Sequence, residues 1–330
     1  MIILQMQENI DSETSRSQYK STDLAIIIPT KDRPKEVERL LNSICELDCK
    51  VGRIIVVASG QDIHNVVMAY SEKLNVEYYS SESGQIKQRN MGISLLDDST
   101  KLVATMDDDA FFYKTAVSEM ILFWNSVEPQ TAGVGFNIVN QKRHKHNWLR
   151  GLLGVSVPEP GRVLKSGNST SISNVKESIR SEWLNGGGTV WRQEILLKYP
   201  HAEIKSNWAV CEDAIYSYPK SKKYPLYVCH NSKINIEDVA MLREKIELYR
   251  YRGKTTFLWT LYFVLSNKEL SIVHFIFFRC LQMTALFIYG LLFKDKFRSA
   301  YALGAFSGLA VFPIVRFNKY KIIKYIEEKT

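Results

Sequence analysis

Cysteine is scarce and scattered: Cys45, Cys49, Cys211, Cys229 and Cys280 are five residues in 330, with no CxxC pair and no cluster among six histidines. An odd, dispersed set excludes a disulfide framework and a zinc ribbon and predicts reduced thiols. Familiar nucleotide and nucleophile signatures are missing too. Gly253-Lys254-Thr255 ends like a P-loop, but the glycine required five positions earlier is Leu248. Gly186–Gly188 lacks GxGxxG spacing and follows no βα turn, and no Ser/His/Asp order with a nucleophile elbow is visible. The opening MIILQMQENIDSETSRSQYK has neither the basic leader nor the apolar core of a signal peptide. It predicts a cytoplasmic protein with residues 1–22 as a disordered lead. No internal repeat occurs, and the sequon Asn168-Ser169-Thr170 has no meaning in that compartment.

Apolar side chains suffice for a sizeable core: 45% of residues are hydrophobic against 24% charged, which excludes disordered and collagen-like chains. The length fits two domains, or one α/β domain with an extension. Charge divides the chain. Residues 241–330 hold fifteen Lys and Arg against six Asp and Glu, whereas residues 1–240 are balanced at 28 against 29, so the net charge of +8 resides in the last ninety residues. Lying beside the longest apolar runs, this excess points to an anionic membrane surface and away from nucleic acid, whose readers more often carry basic patches on the folded core.

Residues 24–28 (LAIII) and 53–58 (RIIVVA) read as buried strands, and 76–80 (VEYYS) and 101–106 (KLVATM) as a third and a fourth strand. Asp32 and Pro34 open a helix with Val37, Leu40, Leu41 and Ile44 at helical spacing, and further helices are predicted over 61–74 and 85–96. Such alternation predicts an α/β fold, a Rossmann-like, mostly parallel sheet with helices on both faces. Ligands of such sheets bind beyond the carboxyl ends of the strands, which directs attention to Thr30–Arg33, Ser59–Asp62, Ser81–Arg89 and Asp107–Asp109. A fifth strand is predicted over 132–139, a long mobile loop over 140–182, a strand over 224–230 and a charged helix over 238–252.

Asp107-Asp108-Asp109 closes a buried strand. Adjacent carboxylates repel one another unless a cation neutralises them, and hard oxygen ligands select Mg²⁺ or Mn²⁺, ions suited to bridging a diphosphate. The alternative is a solvated acidic turn opening a helix; the strand-end position favours metal. Glu212-Asp213 is a second acidic pair at a helix start, and Gly186–Gly188 lets backbone approach a ligand. Displacement of a diphosphate by a hydroxyl needs a cation for the leaving group and a carboxylate base for the nucleophile. Lys87, Arg89, Lys31 and Arg33 are candidate phosphate contacts or solvated surface residues, and His230 ends a strand on the substrate side.

These elements occur together in a known order. Pro29-Thr30 after the first strand, Gln88-Arg89-Asn90-Met91-Gly92, Asp107-Asp108-Asp109, WLNGGGTVWRQEIL (183–196) and Cys211-Glu212-Asp213 make residues 23–240 resemble family 2 glycosyltransferases with the GT-A fold, of the bacterial envelope-polysaccharide type. The resemblance implies inverting, metal-dependent, non-processive transfer of a sugar from a nucleotide-diphosphate donor to a hydroxyl of a membrane-borne glycan or lipid-linked acceptor. It places Pro29, Thr30, Arg33, Gln88, Arg89, Asp107, Asp108, Gly187 and Gly188 at the donor. Asp109 would hold Mn²⁺ or Mg²⁺ with Asp107 and His230, and Asp213, with Glu212 beside it, would be the general base. Trp191 and Arg192 fall on the acceptor side, and the loop 140–182 becomes an acceptor-side lid. Two departures stand out. Where many members carry Asp-Asp or Asp-Asn after the second strand, this chain has Ala58-Ser59-Gly60, leaving base recognition to Asp62 or backbone groups; the Gln-x-x-Arg-Trp motif of processive synthases is absent. A nucleotidyltransferase would carry a Gly-rich basic loop where IIIPTKDRP stands, and a non-enzymatic membrane adaptor would need no paired carboxylates at strand ends.

Residues 270–293 form an apolar stretch broken by His274, Arg279 and Gln282. About 20 residues cross a bilayer core, and Arg279 near the middle costs roughly 2.5–3.5 kcal/mol. Residues 299–315 are uncharged, contain Gly304-x-x-x-Gly308 and lie at the short limit for spanning. Basic clusters precede, separate and follow the runs (Arg250, Arg252, Lys254; Lys294, Lys296, Arg298; Arg316, Lys319, Lys321, Lys324), so a two-span hairpin would put the middle cluster outside. Residues 241–330 are therefore predicted to be helices lying in the cytoplasmic interface of the cell membrane, with one or two spans as the alternative.

Overall fold

Side chains of successive strand residues point to opposite faces, and the first apolar run uses both. In the computed structural model, Leu24, Ile26 and Ile28 enter one hydrophobic layer and Ile27 the other. Each fully buried Ile or Leu here is worth about 1.5–3 kcal/mol over leaving it in water. The structure describes residues 18–142, 146–204, 210–237 and 245–329. Most of the lead, residues 1–17, lies outside them. Residues 18–22, placed in that lead by sequence, are tied down instead: Tyr19 stacks edge-on against Trp124 and exchanges hydrogen bonds with Asn125.

Strands β1 (Leu24–Lys31), β2 (Arg53–Ser59), β3 (Val76–Ser80) and β4 (Leu102–Met106) are parallel, in the order β3-β2-β1-β4. Helices α1 (Pro34–Cys45), α2 (His64–Met68) and α3 (Gln85–Ser94) connect them. After β5 (Ala110–Phe112) and α4 (Ala116–Ser126) the sheet continues as a mixed half. There β8 (Gly188–Arg192) runs antiparallel to β4 and to β6 (Gly133–Ile138), and β9 (Leu226–Ile236) runs parallel to β6 and antiparallel to β5. The short β7 (Ile179–Arg180) pairs with β9. Helices on both faces of this sheet make the fold α/β as predicted, with an all-parallel first half and a second half in which parallel and antiparallel pairings mix.

The segment 140–182, expected to be a mobile loop, is seated on the rest of the chain over much of its length. It carries α5 (Trp148–Leu152), while Ile172 and Val175 are buried in the core and the Trp183 indole donates to the Thr170 carbonyl. Two helices follow β8: α6 (Gln193–Lys198) and α7 (Glu212–Ser221).

Part of the predicted charged helix, residues 238–244, lies outside the described residues. From Ile246 the chain forms α8 (Ile246–Ser266), α9 (Ile272–Leu292), α10 (Lys296–Leu309), α11 (Phe312–Val315) and α12 (Lys319–Lys329) around their own apolar core. Two stretches, Ile272–Leu292 and Lys296–Val315, are long and apolar enough to cross a membrane. The second is interrupted between α10 and α11, and 14 helical residues of α10 reach only about 21 Å at 1.5 Å per residue, less than the ~30 Å hydrocarbon core. Its Gly304-x-x-x-Gly308 motif is used inside the protein. A Cβ on Gly304 would strike the Arg250 carbonyl and one on Gly253 the Tyr301 carbonyl, while Gly308 lies against Phe257. Backbone meets backbone where α8 and α10 cross.

Gly304→Leu should therefore force the two helices apart, costing about 1–3 kcal/mol. We expect a melting temperature several degrees lower in a thermal unfolding scan; an unchanged transition would remove the close-crossing account.

Candidate active site

Helix α3 lies against the first strands because Gly92 presents no side chain to Ile27, where a Cβ would collide with Cγ2. That approach lets Gln88 donate through Nε2 to the carbonyls of Thr30 (2.6 Å) and Val57 (2.7 Å), fastening the helix to the ends of β1 and β2. One residue on, Arg89 is 2% exposed and points toward the end of β4. Its Nη2 donates to Asp107 Oδ1 (2.8 Å) and its Nη1 to Glu212 Oε1 (3.0 Å). Gln88 and Arg89, expected at the donor, are thus buried braces, because a helix held this close to the sheet leaves them no route to solvent.

The three aspartates divide their work. Asp108 is buried, accepting from Thr30 Oγ1 at 2.6 Å and Arg33 Nη1 at 2.9 Å. Thr30, Arg33 and Asp108 therefore form a bracket at the end of β1, with Pro29 buried in the strand behind them. Asp107 accepts through Oδ1 from Gln85 Nε2 (2.7 Å) as well as from Arg89, while its backbone N–H donates to the Gly187 carbonyl (3.1 Å). Asp109 has Arg33 Nη1 at 3.6 Å. Burial, then the charges of Asp107 and Asp108, push its carboxyl up to about 6. A carboxylate so disfavoured is what a cation would relieve.

The glycine run belongs to the same crevice. A Cβ on Gly187 would fall on the Asp107 carboxylate, and one on Gly186 on Asp213 Oδ1. Only glycine lets the start of β8 lie against both acidic groups. Cys211, at the start of α7, has φ 61°; the left-handed region is costly for a residue with a Cβ, by about 1–3 kcal/mol. This kink precedes Glu212 and Asp213. Burial raises the Asp213 carboxyl, opposed by Arg89 and by the Gly186 N–H, and burial pushes Glu212 up to about 6.

Beside Glu212 opens a cleft of about 1090 Å³, whose lining includes Gln85, Lys87, His201, Tyr216 and Lys220 from the α/β domain. Trp259 and Tyr262 of α8 and Lys319 of α12 also line it. Glu212, Tyr216 and Lys220 share one face of α7. Lys220 Nζ sits 3.3 Å from the Tyr216 ring centroid, and His201 stacks on the same ring at 3.6 Å. Burial lowers Lys220 to about 7 and His201 to about 3, leaving the imidazole neutral near pH 7. Neither the motifs nor the spacing singled out His201, Tyr216 or Lys220, and Gln85 was reached only as part of the segment Ser81–Arg89, with no role of its own, because a glutamine at a helix start carries no signal.

Arg192 and His230 lie away from the expected site, and Trp191 serves only as its floor. Arg192 pairs with Leu102 at the opening end of β4, donates to the carbonyls of Pro129 and Gln130, and forms an ion pair with Glu194. Antiparallel β8 carries it to the sheet edge opposite Asp107. Trp191 is buried core, edge-on to Tyr216, and contributes only to the floor behind Gly186 and Asp213. His230 is not a partner of the aspartates: its Nδ1 lies 2.8 Å from the Val175 carbonyl, and β9 continues past it before Glu237 reaches the Asp109 carbonyl. Asp62, the substitute base reader, is exposed and accepts from the His64 N–H and the Tyr78 hydroxyl. Lys87 is paired with Glu82.

Among the described residues no group of three or more His, Cys, Asp or Glu forms a metal cage. Asp107 and Asp109 still fit Mg²⁺ or Mn²⁺, which are commonly held by one or two carboxylates and completed by substrate phosphates and water.

Comparison with known proteins defines the class. Residues 25–177 match the family Glycosyl transferase family 2. The fold is similar to S. aureus TarS 1-349 in complex with UDP-GlcNAc (TM-score 0.52, 16% identity, 92% of this chain and 90% of that one). It is likewise similar to the mannosyltransferase PcManGT of Pyrobaculum calidifontis in complex with GDP-Man and Mn²⁺ (TM-score 0.52, 12% identity, 98% and 92%). No curated protein matches the sequence. The protein is a glycosyltransferase with the GT-A fold. It carries a family 2 glycosyltransferase domain, as the resemblance implied.

Arg89→Met should leave two inward-facing carboxylates without their counter-charge. We expect a loss of about 3 kcal/mol in urea unfolding together with a large fall in turnover; wild-type stability would refute the brace.

Proposed function

We propose that the enzyme carries out inverting, metal-dependent, non-processive transfer of one sugar from a nucleotide-diphosphate donor to an acceptor hydroxyl. The acceptor is a membrane-borne or envelope-polysaccharide glycan, as in polysaccharide biosynthesis, met at the cytoplasmic face of the cell membrane. The observation that carries this reading is the convergence of Asp107 and Glu212, the first residues of the two acidic motifs, on the Arg89 guanidinium at the strand-end crevice. Asp109 and Asp107 would hold Mn²⁺ or Mg²⁺, which when bound offsets the charge of the leaving diphosphate. Asp107 lies toward the ribose side, next to Gly187, and Gly187 and Gly188 leave room for the donor sugar.

Asp213 accepts the proton of the acceptor hydroxyl. As the acceptor oxygen forms its bond to the anomeric carbon, the bond from that carbon to the diphosphate oxygen breaks, and the nucleoside diphosphate departs with the electron pair. The raised affinity of this carboxyl for protons, caused by burial, suits it to the task. Glu212 fixes Arg89 rather than meeting the nucleophile. The exposed apolar face of α9 and the basic residues around it support attachment to anionic lipid.

Asp109→Ala and Asp213→Ala should each abolish transfer. The first should also lose Mn²⁺-dependent donor binding in calorimetry, and the second should retain it. Turnover at the wild-type rate in either variant would sink its assigned role. At the membrane, high-pH carbonate should release the full-length chain; retention in the pellet would favour a span.

A further inference from the structure

The segment 140–182 carries a feature that sugar transfer does not use. At its exposed end, α5 presents Trp148 at 77% exposure, with Leu149 and Leu152 also open to solvent. A bare indole beside two leucines is costly in water unless something covers it. The helix is not loose. Asn147 caps it by accepting from the Arg150 N–H, Gln282 Nε2 of α9 donates to the Leu153 carbonyl at 2.9 Å, and Gly154 rests on the ring of Phe278.

Helix α9 exposes its own stripe. Val273, Phe277, Ile288, Leu291 and Leu292 are exposed and recur at helical spacing over its length. Phe278, which holds α5, is the next residue after Phe277 and so lies about 100° around the helix, on the flank of the stripe. The apolar surfaces of α5 and α9 are therefore neighbours. Charge identifies what covers them. Lys142 is exposed shortly before α5, Arg150 lies within it, and residues 142–150 contain no Asp or Glu. The other end of α9 leads into Lys294, Lys296 and Arg298. Cations framing an indole and leucines match an anionic bilayer, where Trp settles at the headgroup level and each nearby Lys or Arg adds about 1 kcal/mol.

We propose that α5, with Lys142 and Arg150 beside its apolar face, forms a second lipid contact, flanking α9, through which the α/β domain itself binds the anionic membrane surface. This inference rests on the membrane reading above but assigns the contact to a segment within the glycosyltransferase domain.

The test uses the full-length chain and phosphatidylcholine vesicles with or without phosphatidylglycerol. Wild type should bind the anionic vesicles and release at high salt, and the combined W148A, L149A and L152A variant should bind about tenfold more weakly, with an unchanged elution volume and melting curve as the fold control. Vesicles with brominated acyl chains should quench wild-type tryptophan fluorescence more than that of W148F, a variant that keeps the fold if the triple variant does not. Undiminished binding of the triple variant, or equal quenching in W148F, overturns the α5 contact while leaving α9 as an anchor. No binding by wild type overturns the membrane reading as a whole. A free dimer that the triple substitution dissociates would put a second copy of the chain on this surface and also overturn the proposal.

Discussion

The guanidinium of Arg89 holds together groups that the chain places far apart. Asp107 ends the fourth parallel strand and Glu212 begins α7, more than a hundred residues later, and both carboxylates lean on the same buried cation. Without it, two carboxylates in a partly desolvated crevice would repel each other; with it, the donor end of the sheet and the helix carrying the proposed base become one rigid unit. The rest of the crevice depends on that unit. Gly92 lets α3 come close enough for Arg89 to reach, Gln88 fixes the height of the helix against two strand ends, and Gly186 and Gly187 let the start of β8 close over Asp213 and Asp107. Each glycine sits where a Cβ would collide with a group needed elsewhere, so the glycines of the two motifs express a single packing requirement.

The parallel half of the sheet was legible because β1, β2 and β4 are buried and announce themselves as apolar runs, with the half-buried end strand β3 following from the alternation. The mixed half was less so. β5 is three residues long and β8 has only Thr189, Val190 and Trp191 between a glycine run and an arginine, too little for a pattern. This gap misplaced Arg192. Motif order brings WLNGGGTVWRQEIL to the site, but only strand direction tells which of its residues arrive: Gly188 opposes Met106 beside the aspartates, and four residues later Arg192 opposes Leu102 at the other edge. His230 failed for a related reason. The apolar run 224–230 looks like a complete strand, yet β9 continues to Ile236 through alternating polar residues, so the strand end near Asp109 belongs to a later part of the chain. The aspartates, Glu212, Asp213 and the glycines were found from sequence because clustered like charges and consecutive glycines are conspicuous whatever the topology.

The C-terminal ninety residues divide by exposure in a way that hydropathy alone does not reveal. Helix α8 is as apolar in its second half as a membrane segment, but Phe257, Leu258, Trp259, Leu261 and Phe263 are buried against the protein's own helices. The glycine motif of α10 is turned inward to the same helix. The longest outward apolar surface is one face of α9, with Leu303, Ile314 and Phe317 also exposed, and the cationic clusters located by the charge count flank it. The basic excess is thus organised around a surface and not spread over a tail.

This arrangement also bears on catalysis, because the helices are not appended to the α/β domain as a detachable anchor. Trp259 and Tyr262 of α8 and Lys319 of α12 form the wall of the cleft opposite the Glu212–Tyr216–Lys220 face of α7. Cys211, whose left-handed backbone turns the chain into α7, has its sulfur 3.8 Å from Thr260 Oγ1 of α8. The kink that aims the acidic pair into the crevice is therefore held from the helical side, and α8 is in turn held by α9 through Phe257 and Phe275. A chain of direct contacts runs from the exposed face of α9 through α8 to the start of α7. Because packed interiors yield little to displacement, fixing α9 at a surface also fixes where the acidic pair and the mouth of its cleft lie relative to that surface. Orientation at the membrane and geometry at the crevice are two consequences of the same packing.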